Sequence, residues 1–151
     1  MQVMIWNIVP EDFLTCTVGS EMGHEIVEYR KRHAIIHDLD FWAIRHFLLV
    51  SAEEAKQSEL ATFIRGWDWI GPGVYLGVEY DTFFNGEERL EQQFLRLLVM
   101  ARKRLEAFGE FVPIEYIESN INLQKAYFTE AQPVVHWLEQ LDKLSDLFPN
   151  K

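Results

Sequence analysis

The chain has 151 residues, 48% of them hydrophobic, and its 14 Lys and Arg stand against 24 Asp and Glu for a formal net charge of −10. That length suits one domain able to bury a core without disulfides or metal, and 11 Phe, 5 Trp and 5 Tyr place it far from the disordered regime. The acidic balance argues against nucleic acid as a direct partner and against an anionic membrane surface, because both are gripped by clustered Lys and Arg.

In chain order, Gln2 to Val9 and Phe13 to Val18 are rich in branched and aromatic residues around Pro10-Glu11-Asp12, which predicts a hairpin. The apolar start has no basic residue before it and stops at Pro10, unlike a secretory signal, so a soluble cytoplasmic protein is expected. Glu21 to His33 and Leu39 to Val50 read as helices with a break near His37-Asp38. The second is too short and too interrupted, by Arg45 and His46, to span a bilayer. Ser51-x-x-Glu54 has capping-box spacing and predicts a further helix to Ile64, with Ala55, Leu60, Phe63, Ile64 and Trp67 on its buried face.

Val74, Leu76, Val78 and Tyr80 alternate as in a strand. From Glu87 to Phe108, Leu90, Phe94, Leu97, Leu98, Ala101, Leu105 and Phe108 recur at steps of three and four. Acids at its start, Arg102 to Arg104 near its end and Gly109 beyond it agree with that helix. Phe111 to Ile117 is a fourth strand candidate, and Ser119 to Thr129 a short helix or a loop. Gln132 to Phe148 forms a second strongly patterned helix through Val134, Trp137, Leu138, Leu141, Leu144 and Phe148, with Pro133 tolerated in its first turn. No repeat or linker divides the chain. The expected fold is α+β, a predominantly helical single domain of about five helices with a small antiparallel sheet; an all-α bundle is the alternative.

Motifs that would carry chemistry are sparse. His33 and His37, four apart, would share one face of a continuous helix at a spacing suited to a transition metal, with His24, His46 and Asp38 nearby in sequence. So short a motif arises often by chance, and no Glu sits between the two histidines as in zinc hydrolases. Glu21-x-x-His24 has the form used in pairs by di-iron bundles, but it occurs once and contains Gly23. Cys16 is the only cysteine, which excludes an intramolecular disulfide, and it sits in a run read as a buried strand. Gly71-Pro72-Gly73 matches no phosphate-binding loop. No catalytic residue and no cofactor are assigned.

The most biased stretch is 66–88, GWDWIGPGVYLGVEYDTFFNGEE, which holds five of the eight glycines, six aromatics and five acids without one Lys or Arg. A second basic-free window, Leu105 to Gln124, holds Glu106, Glu110, Glu115 and Glu118. The structural reading of the first window is that Trp67 and Trp69 cap the core where a helix turns into a strand. The functional reading is an aromatic anchor with an acidic rim, Trp67, Asp68, Trp69, Glu79 and Asp81, that receives Arg or Lys from a partner. The sequence therefore leads to a non-enzymatic acidic binding protein that neutralises or masks a basic surface of another protein, of the immunity-protein or inhibitor type found in bacteria or phage. A helical metalloprotein using His33 and His37, and a structural or assembly subunit, are the alternatives.

Overall fold

The computed structural model describes residues 23–122 and 128–149. The hairpin expected over Gln2 to Val18, together with Cys16 and Glu21, lies outside the described residues, as does the middle of the Ser119 to Thr129 segment. Twelve elements follow one another: β1 (His24–Tyr29), β2 (Arg32–His37), α1 (Asp38–Glu54), α2 (Ser58–Arg65), β3 (Asp68–Gly71), β4 (Val74–Leu76), α3 (Tyr80–Phe84), α4 (Glu88–Glu106), β5 (Phe111–Val112), α5 (Ile114–Asn120), β6 (Gln132–Pro133) and α6 (Val134–Ser145). The described chain is thus α+β and predominantly helical, with three separate two-stranded antiparallel ladders, β1-β2, β3-β4 and β5-β6.

The long helix α1 packs against α2, α4 and α6, and α4 packs against α6. Their apolar stripes meet in one cluster that includes Phe41, Phe47, Trp67, Tyr80, Phe84, Phe94, Trp137 and Phe148, none more than 1% exposed. Burying each such ring contributes roughly 2–3 kcal/mol, and edge-to-face contacts add to it. Phe84 alone meets Tyr29, Phe63, Tyr80, Phe94 and Phe148 at centroid distances of 5.5, 5.9, 5.4, 5.3 and 5.1 Å. Helices α4 and α6 fall within the segments that the periodicity marks, and their expected buried residues Phe94, Leu97, Leu98, Trp137 and Leu141 are buried.

The described part of the Glu21 to His33 segment, from Gly23 on, is not a helix. His24 to His37 forms a hairpin whose register pairs Val27 with Ala34 and Tyr29 with Arg32, so Glu25, Val27 and Tyr29 face inward and His24, Ile26 and Glu28 outward. Its turn is Arg30-Lys31, both with positive φ of 52° and 70°. A turn of this kind ordinarily carries Asn-Gly, and Arg-Lys gives no such signal. Tertiary partners hold it instead: the Arg30 amide donates to Asp81 Oδ1 at 3.0 Å and the Arg30 guanidinium reaches buried Glu91 at 3.4 Å. The Tyr29 hydroxyl donates to the same Glu91 carboxylate.

Three further boundaries differ from expectation. Ser51 caps nothing: it lies inside α1 and its hydroxyl donates to the Phe47 carbonyl at 2.8 Å. The chain turns at Lys56, φ 57°, before α2 begins. Tyr80 starts helix α3 where alternation extends the strand, because Tyr80 and Phe84, one helical turn apart, both enter the aromatic core. The strand expected over Phe111 to Ile117 stops at Val112; Pro113 then caps α5, supplying an extended residue ahead of a helix.

Candidate functional site

The glycine- and tryptophan-rich segment folds as the β3-β4 hairpin, reversed at Pro72-Gly73. Proline sets the first φ and Gly73 takes φ 73°, the positive value that the second position of a type II turn requires. Gly77 then brings the chain back at φ 81°, so close to the end of α2 that a Cβ there would stand 2.3 Å from the Gly66 carbonyl oxygen. Trp69 and Tyr75 are cross-strand partners on the inner face, stacked at 6.4 Å, while Ile70, Val74 and Leu76 are exposed.

This hairpin hangs from two buried carboxylates. Asp38 opens α1 and is 1% exposed; its Oδ2 accepts the Trp69 indole N–H at 3.1 Å and the Gly73 amide at 2.7 Å, and its backbone carbonyl accepts the Tyr75 hydroxyl at 2.8 Å. Glu25 is buried on the inner face of β1, where the Tyr75 backbone N–H favours its ionised form. Burial, only partly offset by the Gly73 and Trp69 donors and reinforced by the Glu25 charge, pushes Asp38 up to about 7. Glu25 is likewise pushed up to about 7 by burial, against the Tyr75 N–H bond. One turn into α1, Asp40 accepts from Trp137 Nε1 at 3.0 Å and pairs with His136 at 2.8 Å.

The residues singled out from sequence separate into different roles. Trp67 is not a surface anchor: it is 0% exposed and stacks on Phe41 at 5.2 Å. Trp69 is half-buried and bound to Asp38. Asp68 is half-buried on the outer side of β3, opposite Leu76, and its charge acts on Arg45. Glu79 is exposed at the N-cap of α3, and Asp81, also exposed, closes the Arg30-Lys31 turn.

His33 and His37 sit on a strand, where four residues separate their Cα atoms by roughly 13 Å. The shared helical face that would bring them together does not exist. His33 lies opposite Glu28, whereas His37 meets His24 edge-on at 5.4 Å and its Nδ1 accepts the Leu39 amide as the cap of α1. Burial holds His37 below the usual imidazole range, with Asp40 opposing and His24 and His136 adding to the effect. Among the described residues no group of three or more His, Cys, Asp or Glu side chains is arranged to hold a metal ion, and no helix is long and apolar enough to cross a membrane.

The hairpins also create an outward surface that sequence reading missed. β1 lies against β4, and the outer ladder of β1-β2 runs His24 opposite His37, Ile26 opposite Ile35 and Glu28 opposite His33. Ile26, Ile35, Ile70, Val74 and Leu76 supply five of the eight large hydrophobic residues exposed among the described ones. The signal was the alternation Glu25-Ile26-Val27-Glu28-Tyr29, masked by the helix-forming charges that follow it. No protein-family model matches the chain, and neither a curated protein nor a solved structure does.

Proposed function

We propose that this protein is a non-enzymatic acidic binding protein that masks a basic functional surface of another protein, in the manner of an immunity protein or inhibitor. The observation that carries the reading is the concentration of exposed aliphatic side chains on the outer faces of two adjoining hairpins, Ile26, Ile35, Ile70, Val74 and Leu76. Exposed apolar groups gathered in one region, with charge around them, are what a protein interface uses. Glu28 and Glu79, both exposed, lie on the same elements or beside them, and the chain's net charge of −10 supplies a field that draws a cationic partner. Relative to the sequence reading, the contact moves from Trp67 to the aliphatic strand positions, with Glu79 retained and Asp81 reassigned to the turn. The same acidic field opposes a second copy of this chain on that face, which favours a basic partner over self-assembly.

The test is capture of partners from native cells by the tagged chain, followed by titration of the captured protein against variants. Leu76→Glu and the pair Glu28→Lys with Glu79→Lys change exposed positions and leave the melting temperature within a few degrees of the parent. The reading expects a Lys- and Arg-rich partner, weakening of binding by about tenfold or more in each variant, and loss of affinity with added salt. A partner bound equally well by both variants removes this face from the account.

A further inference from the structure

We propose that Asp38 and Glu25 form a proton-operated latch: a proton held on the pair keeps the β3-β4 hairpin fastened to α1 and β1, and its loss loosens that hairpin while the helical core stays folded. The latch is independent of the docking face, since it concerns how one element of the chain is attached.

The attachment is unusually dependent on these two groups. Trp69, Gly73 and Tyr75, one from each part of the hairpin, all bond to Asp38, and the Tyr75 backbone N–H acts on buried Glu25. Asp38 Oδ1 is buried without a hydrogen-bond partner, so half of this carboxyl is desolvated with nothing to compensate a charge on it. Asp38 feels the charge of Glu25, and neither carboxylate has an Arg or Lys in contact among the described residues. A like charge in a low-dielectric corner resists ionisation of its neighbour.

The other titratable groups do not supply the missing cation. Asp40, on α1, is committed to Trp137 and His136 of α6. His37, at the cap of α1, is held toward its neutral form by burial and faces His24 across the β1-β2 ladder. Arg45, further along α1, donates to the Trp67 and Arg65 carbonyls, though its charge reaches Tyr75 and Asp68. Tyr75 is buried and kept protonated.

The sign follows from linkage. Asp38 and Glu25 titrate near neutrality when folded and at 3.8 and 4.5 when the chain is unfolded. Their contribution is full below those lower values and is lost as pH rises through about 7. The loss falls on the hairpin that the pair holds.

Amide exchange of the full chain, resolved by residue and corrected for intrinsic rates, reads this directly. Between about pH 5.5 and about pH 8.5 the protection of the Gly73 and Tyr75 amides is expected to fall about tenfold or more, while that of Leu97 and Leu98 in α4 holds. Asp38→Asn keeps an acceptor for Trp69 and Gly73 without a charge, so the fall in protection there shrinks to the part that Glu25 supplies. Glu25→Gln removes the repelling neighbour and leaves less than half of the logarithmic fall. Constant protection in the native chain, or an equal fall in all three proteins, overturns the latch. Should Asp38→Asn not fold, carbon-13 titration of the native carboxyls decides: an Asp38 midpoint below about pH 5 overturns the proposal, and midpoints near neutrality for both acids sustain it.

Discussion

Around Phe84 the protein is held by ring against ring, whereas around Asp38 it is held by a few directional bonds to groups that can gain or lose a proton. Both regions are buried, and Phe41 of α1 links them through Trp67 and Tyr80. The aromatic cluster gains from contact area, spreads its energy over many partners and is indifferent to pH. The hairpin corner depends on carboxylates whose burial opposes their charge, so its strength varies with conditions in a way the core's does not. The same logic acts in reverse at the far flank of α1. There His46, bonded to the Tyr116 hydroxyl at 2.8 Å, is pushed down to about 4 by burial and by Arg45 and Arg104.

The largest expected effect separates the two kinds of packing. Phe84→Ala leaves a cavity among the surrounding rings and should lower unfolding free energy by about 3–5 kcal/mol in urea at any pH between about 5 and about 8. A loss below about 1 kcal/mol would mean that the ring cluster relaxes to fill the space. Next, Gly77→Ala drives a Cβ into the Gly66 carbonyl and strains a positive φ. A cost of about 2–3 kcal/mol is expected in thermal unfolding, because backbone faces the new methyl group and cannot swing aside.

His46 sharpens the contrast in pH response. Its folded value lies below the unfolded 6.5, so the unfolded chain binds the proton more readily and stability declines as pH falls from about 6.5 toward about 4. His46→Gln should remove about 2 kcal/mol of that acid-side decline, allowing for partial exposure, in paired urea titrations at about pH 7 and about pH 4.5. Identical pH slopes in parent and variant would show that His46 titrates normally. The hairpin corner has the opposite slope, weakening toward alkaline pH. The smallest effect is a gain: Lys31→Gly relieves a residue at φ 70° and should raise stability by about 0.5–1 kcal/mol, seen as a melting temperature a few degrees higher.

The elements that were legible in the sequence are those whose energy comes from a repeating apolar stripe. Helices α4 and α6 declare themselves because residues at steps of three and four have to meet a core, and the same requirement identifies the side chains these two helices bury. The candidate site was only half legible. The segment 66–88 stood out by composition, yet composition does not say that Trp67 turns inward to Phe41 while Ile70, Val74 and Leu76 turn out. The β1-β2 hairpin was misread because its turn uses Arg-Lys, whose left-handed conformation is stabilised by Asp81 and Glu91 from far along the chain.

Local pattern alone settled the helical class, the net acidic charge and the buried stripes of α4 and α6, since periodicity and charge are properties of neighbouring residues. Tertiary structure alone decided that Asp38 and Glu25 share a corner, that His33 and His37 stand apart on a strand, and that five aliphatic side chains face outward on adjoining hairpins. Those outcomes depend on which distant segments meet, and the energy of a buried charge or a strained turn is set by partners that no local window contains.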